Sequence, residues 1–339
     1  MRRDPPRRRS GDRSGSILLH RLRDAPSGHR RGLGRRDLPA GRSGRRAGAS
    51  RRNARCLVQV TALDIEAISG LVIDLCGIYL DDSKGYLIES RLGTLAEKHG
   101  CRSFAELAKK VRMGGSHALK DEVINAITTN ETLFYRDTTP FEAFAFKALP
   151  ESFDARARSG QPNRLRIWSA AASTGQEAFS LAMTIMDNMP DYRRYDIQIL
   201  GTDISEKAIE RASRGWFADH EIHRGLTPQQ LAKYFRPDNG GWRVIDEVRS
   251  LVQFRRLNLL EPFIHLGKFD VVFCRNVAIY FTPETRADLF RRIADVMTET
   301  GYLFVGSAES LGDLGARFIP HLHCRSVYYR PNLPIPVGR

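Results

Sequence analysis

The chain has 339 residues, 42% of them hydrophobic and 27% charged, a length that suits one large or two ordinary domains. Its formal net charge of +14 sits at one end: residues 1–55 carry 18 Arg, no Lys and 4 Asp, while the remainder holds 35 basic and 35 acidic side chains. The balanced remainder offers no electrostatic footprint for nucleic acid or for a membrane surface, so we expect neither as a partner and no membrane insertion.

Residues 1–55 are rich in Arg, Gly, Ser and Pro. Such a stretch cannot bury enough apolar surface to offset its ordering entropy, and we read it as a disordered leader. Its one apolar run, Ile17-Leu18-Leu19, is too short for a secretory core or a membrane span. We expect an extension without a role in the chemistry, as from a start codon set too far upstream; a basic arm for anionic surfaces is the alternative. The five cysteines, Cys56, Cys76, Cys101, Cys274 and Cys324, form no CxxC pair and read as free thiols in a reducing cytoplasm. His321, His323 and Cys324 lie close together, but no acidic or Cys cluster accompanies them, so no metal centre is expected.

Residues 60–146 read as an all-α N-terminal domain. Leu63, Ile65, Ile68, Leu71, Val72 and Leu75 recur at helical spacing. "SRLGTLAEKHG" follows with Gly100 as a stop, and "SFAELAKKVRMGG" opens with Ser103 and Glu106 spaced as a capping box. "HALKDEVINAIT" makes a fourth helix, and 138–157 a further one with Phe141, Phe144 and Leu149 facing a core. "RARSGQPN" reads as a linker.

Over 160–339 strands and helices alternate. "LRIWSA" is a strand, 175–189 a helix ended by Pro190, "IQILGTD" a strand, and "SEKAIERAS" a helix capped by Ser205. An irregular stretch at 214–250 leads to the strand "SLVQFRRL", then to "KFDVVFCRN". A helix follows with Thr282 as cap, Pro283 at its first position, and Leu289, Phe290, Ile293, Val296 and Met297 inward. "GYLFVGS" and "SVYYR" are the last two strands. Alternating βα units imply an α/β fold with a parallel sheet covered on both faces.

Polar clusters follow four successive strands. Ala170 to Gly175 are all small, so a ligand can approach the backbone, and the next helix offers its N-terminal amides to a phosphate or a carboxylate. Asp203 ends the second strand, where an acidic side chain can hold ribose hydroxyls. Asn258 follows the third strand, and Arg275 and Asn276 the fourth. "ITTNETLFYRD" (127–137) joins the two domains with a mixture a surface helix would not choose, which suggests an element that closes a site.

Together "TTNETLFYR", "RIWSAAASTGQEAFSLAM", "ILGTDIS", "FRRLNLL" and "FDVVFCRNVAIYF" resemble the CheR-type chemotaxis methyltransferases, with "KYFRPDNGGWRV" and "LFVGSAESL" in support. The resemblance spans about residues 60–330. It implies a Rossmann-like methyltransferase domain with a small all-α N-terminal domain and a short β-subdomain inserted near 214–250. It implies S-adenosyl-L-methionine as cofactor and glutamate side chains of methyl-accepting chemoreceptor cytoplasmic domains as acceptors. By motif match, Asn130, Thr132, Arg136, Glu177, Asp203, Asn258, Leu259, Arg275 and Asn276 would contact the cofactor, with Arg136 and Tyr280 nearest the transferring methyl. Gln176 stands where the family usually has Glu, Ala172 where it often has Cys, and "GSAESL" where it usually has "GHSESL". The loop "RPDNGGW" is short, whereas members that dock on a receptor tail tend to have a longer glycine loop there, so this chain looks tail-independent. The resemblance further implies a cytoplasmic protein, recruited to receptor arrays, and we expect a monomer. The rival readings are a methyltransferase for another substrate and a cofactor-binding signalling or scaffold protein without turnover.

Overall fold

A computed structural model describes residues 60–332 except 115, 159 and 161. The leader expected at 1–55 and Cys56 lie outside the described residues.

Four helices come first: α1 (Ala62–Cys76), α2 (Gly85–Lys98), α3 (Phe104–Arg112) and α4 (His117–Ile127). They enclose a core of Ile68, Val72, Ile88, Leu92, Phe104, Leu107 and Val123. Thr61 and Asp64 form a complete capping box on α1, and the Asp64 carboxylate also accepts from Ala105 N at 2.7 Å, which ties α1 to the start of α3. At Ser103 only half of the expected box forms. Its hydroxyl accepts from Glu106 N, but the Glu106 carboxylate reaches one residue further back, to Arg102 N.

The segment 138–157 departs from a plain helix. It consists of α5 (Thr139–Ala143), a π-helical turn Phe144–Ala148, and α6 (Leu149–Arg158). The wider turn still buries Phe141, Phe144, Ala148 and Leu149.

The α/β part follows as β1 (Arg164–Ala170), α7 (Gln176–Asn188), β2 (Asp196–Asp203) and α8 (Glu206–Arg214). The stretch 214–250 then contains β3 (Trp216–Phe217), α9 (Asp219–Ile222), α10 (Pro228–Tyr234), β4 (Phe235–Asp238), β5 (Gly241–Val244) and α11 (Asp246–Arg249). Its strands make a separate three-stranded antiparallel sheet. Asn239 and Gly240, both at positive φ, close the β4–β5 hairpin in a two-residue turn, the geometry that favours an Asn-Gly pair.

β6 (Val252–Arg256), β7 (Phe269–Cys274), α12 (Pro283–Asp295), β8 (Met297–Val305), β9 (Phe318–His323) and β10 (Ser326–Pro331) complete the chain. The main sheet has the order β6-β2-β1-β7-β8-β10-β9. Its first five strands are parallel, whereas β10 runs antiparallel to both β8 and β9. The sheet is therefore mixed, not the parallel sheet that the alternation implies. The missed strand, β9, carries Pro320 and two histidines on the sheet edge, where a proline is tolerated because no further strand needs its N–H. Its hairpin closes through Cys324 and Arg325 at positive φ, residues that give no turn signal. Val296 and Met297 are buried as expected but lie past the end of α12, because β8 begins at Met297.

The sheet separates two cores. Ile167, Ile199, Phe179, Phe273 and Phe304 pack with α5, the π turn and the insertion on one side. Trp168, Val272, Leu303, Leu289, Phe290 and Ile293 pack with α12 on the other. Strand order reverses at β1, which has β2 on one side and β7 on the other, so a crevice opens at the carboxyl ends of these strands.

Candidate active site

The small-residue turn after β1 floors that crevice. Ala171, Ser173 and Gly175 all have positive φ (61°, 50° and 98°), an alternation that coils the chain tightly before α7. Ala172 N donates to Thr202 O (2.8 Å), Ser173 N to the Asp203 carboxylate (2.9 Å), and Ser173 Oγ to Asn130 O (3.1 Å). These bonds fix the turn against both β2 and the segment that joins α4 to α5. A Cβ on Gly175 would stand 3.0 Å from Ala212 Cβ and from the Phe254 ring, so glycine is required here for packing as well as for φ. The N-terminus of α7 faces the turn with unpaired amides and the positive end of its dipole.

The most buried charge of the site is Arg275, whose side chain is 1% exposed. It emerges from the end of β7. Nη1 donates to Glu177 Oε2 (3.0 Å), and Nη2 to Arg136 O (2.7 Å) and to Asp137 Oδ2 (3.0 Å). Glu177, in the first turn of α7, accepts a second bond from Ser169 Oγ at 2.7 Å. Arg275 and Glu177 therefore line the cavity with their charges already matched, and they lock the segment between α4 and α5 onto α7. Arg136 also lines the cavity, but among the described residues its guanidinium is held only by a 3.3 Å bond to Glu131 O.

Asp203, at the end of β2, accepts from Ser173 N and Ser205 N, both at 2.9 Å. Burial pushes its carboxyl above the usual range, against the opposing pull of these amides. Each of its oxygens retains acceptor capacity for a ligand hydroxyl. Asn258 also lines the cavity, yet its side chain ties α1 to the loop after β6: Nδ2 donates to Leu75 O (2.9 Å) and Oδ1 accepts from Leu260 N (3.0 Å). Asn276 is held at positive φ by a 2.7 Å bond from its N–H to Glu309 Oε2. Tyr280 stands at the rim, 39% exposed, and its carbonyl accepts from Tyr79 N of the helical part at 2.7 Å.

All ten residues singled out from the sequence line this one cavity: Asn130, Thr132 and Arg136 from the segment between α4 and α5, Glu177 and Asp203 from the first βαβ unit, Asn258 and Leu259 after β6, and Arg275, Asn276 and Tyr280 after β7. Ile204, Leu257, Leu259, Val277 and Phe281 make the apolar part of the wall. The cavity therefore suits a ligand with a flat apolar portion, hydroxyls and a charged end. Sequence reasoning missed two groups. Cys76, the last residue of α1, and Ile78 just beyond it close the cavity from the helical side, with Ile78 bridging to Phe281. Burial pushes the Cys76 thiol up to about 11, so it is no nucleophile at neutral pH. Asp137 and Glu309 lie outside the cavity and hold its residues; the only signal for either was a place inside a quoted motif. Among the described residues no cluster of His, Cys, Asp or Glu suits a metal ion, and His321 stacks on Tyr328.

Two family descriptions match the chain: "CheR methyltransferase, all-alpha domain" over residues 63–128 and "CheR methyltransferase, SAM binding domain" over 130–323. Chemotaxis protein methyltransferase 1 of Pseudomonas aeruginosa is 43% identical over 258 residues, covering 74% of this chain and 91% of that one. Chemotaxis protein methyltransferase Cher2 of Pseudomonas putida is 40% identical over 260 residues, covering 74% and 92%. The chemotaxis protein methyltransferase of Escherichia coli is 36% identical over 257 residues, covering 74% and 85%. The chain belongs to the CheR methyltransferase family and is an S-adenosylmethionine-dependent methyltransferase.

Proposed function

On the premise of that membership, we propose that this enzyme methylates glutamate side chains on the cytoplasmic domains of chemoreceptors, giving methyl esters in chemotactic adaptation. The names of its relatives support the pathway. The observation that carries the reading is the convergence of six separate chain segments on one cavity at the carboxyl ends of β1, β2, β6 and β7.

The residues present fit S-adenosylmethionine. In this reading Asp203 would accept from the ribose hydroxyls, and the apolar wall of Leu257, Leu259 and Phe281 would suit the flat base. The small turn and the α7 N-terminus receive the amino-acid end, whose carboxylate suits the helix dipole. A turn with one glycine is enough, since no pyrophosphate has to be wrapped. Asn130, Thr132, Glu177, Asn258, Arg275 and Asn276 complete the contacts. When bound, the cofactor supplies an electrophilic methyl to a carboxylate that is ionised at neutral pH (free Glu ~4.3), so no general base is required. The protein acts by positioning. Arg136 orients the incoming carboxylate by charge-assisted hydrogen bonds, and Tyr280 at the rim borders the point of transfer. Arg136 is the less constrained of the two cavity arginines, which suits a group that must receive a new partner. The ester removes one negative charge from the receptor surface, so the product is itself a change in helix–helix repulsion.

In the same reading residues 60–146 form the helical domain, 160–339 the methyltransferase domain, and 1–55 a dispensable leader. The tight Asn239-Gly240 hairpin supports docking without a receptor tail. The enzyme works as a cytoplasmic monomer recruited to receptor arrays. Incubation with methyl-labelled S-adenosylmethionine and receptor-rich membranes is expected to place base-labile label on receptors, and deletion of 1–55 to leave the rate unchanged. Label on RNA alone, or none despite cofactor binding, would overturn the assignment.

A further inference from the structure

The tripeptide that carries Arg136 is held in a conformation its residues resist. Tyr135 and Asp137, on either side of Arg136, have φ of 50° and 55°. The left-handed region is unfavourable for both, and more so for a bulky residue than for aspartate. Such a backbone persists only where its surroundings over-determine it. Tyr135 N donates to Ser180 Oγ at 3.0 Å, which anchors the first residue to α7. The other side is held by Asp137. Its Oδ2 accepts from Arg275 Nη2 (3.0 Å) and from Ser307 Oγ (3.4 Å), the latter just past β8. The same Nη2 reaches Arg136 O, so one guanidinium NH2 grips two consecutive residues. Among the described residues the Arg136 side chain makes one long bond, to a carbonyl, so its backbone decides where its guanidinium stands.

We infer that Asp137 is a positioning residue for methyl transfer: by bridging Arg275 and Ser307 it fixes the backbone of Arg136 and holds that guanidinium in the cavity. Asp137 does not line the cavity and touches no reacting group. Its part in turnover rests on the proposed role of Arg136 toward the acceptor carboxylate, but its hold on the backbone does not.

Two measurements test this. Hydrogen exchange by mass spectrometry on the full-length protein is expected to quicken in peptides covering 134–138 for Asp137→Ala, with β1 and α7 unchanged; unaltered exchange there overturns the inference, and it needs no acceptor. Turnover on receptor fragments is expected to fall by about 10- to 100-fold for Asp137→Ala, the scale of a small misplacement near the reacting centre, while affinity for S-adenosylhomocysteine shifts only a few-fold. Asp137→Asn keeps an acceptor and tolerates positive φ, so it recovers most of the rate and serves where the alanine variant is unstable. The Arg136→Ala, Asp137→Ala double variant is no slower than Arg136→Ala alone; losses that multiply mean that Asp137 acts elsewhere. Wild-type enzyme that labels no receptor tells against the receptor assignment only, since the exchange result stands apart from it.

Discussion

Replacing Arg275 with Met tests the central clamp of the site. The guanidinium is 1% exposed and donates to Glu177, Asp137 and Arg136 O at 2.7–3.0 Å. Methionine fills much of the volume but supplies no donor, so Glu177, itself 13% exposed, keeps only Ser169 Oγ as a side-chain partner. Removing one member of a buried pair costs about 3–5 kcal/mol, because a charge is left uncompensated. Asp137 is 35% exposed and regains water, which places the cost near the lower end, about 3 kcal/mol. For a folded part of this size that corresponds to a fall of roughly 5 °C in the unfolding midpoint. Adding Glu177→Gln removes the orphaned charge and is expected to recover about half of the loss. Calorimetry or circular dichroism reads both shifts. A single variant within about 2 °C of wild type, or a double variant as unstable as the sum of the singles, would refute the clamp.

The other predictions concern the cradle. Burial raises the Asp203 carboxyl above its ordinary value, so in the free protein its charge costs stability at neutral pH, and that cost is relieved as the pH falls through the raised value. A ligand hydroxyl bonds the ionised form more strongly, so affinity for S-adenosylhomocysteine is expected to decline on acidification, starting at a higher pH than an exposed aspartate would give. Asp203→Asn is expected to lose about 10- to 100-fold in affinity at pH 7, the worth of one charged hydrogen bond, and to flatten the profile; an Asn variant with the wild-type pH dependence would exclude Asp203 as its source. Gly175→Ala adds a Cβ 3.0 Å from Ala212 and Phe254 at a φ of 98° and is expected to cost about 1–3 kcal/mol, read as a lower urea midpoint; an unchanged midpoint would show that the turn can shift.

The sequence by itself determined the composition of the site and its order along the chain. The βα alternation and the small residues at 170–175, Asp203 and Arg275-Asn276 after successive strands were legible because ligands of open α/β sheets bind at strand carboxyl ends. The helices of 62–127 were legible because each buries one stripe at helical spacing. Tertiary structure decided the rest. Strand β9 was invisible because it is an edge strand exposed beyond Phe318, so it needs no apolar alternation, and its Cys-Arg turn carries no turn signal. The sequence marks Glu177, Arg275 and Asn258 only as polar residues near a crevice. Folding shows Glu177 and Arg275 paired with each other, Arg275 also gripping Arg136 O, and Asn258 tying α1 to the loop after β6, so each meets a ligand only with the hydrogen-bonding capacity these bonds leave. Asp137 and Glu309 gained their parts in the same way, from partners 138 and 33 residues away. Local pattern fixes which residues reach the crevice, but hydrogen bonds between distant segments decide which of them stay free to meet a ligand.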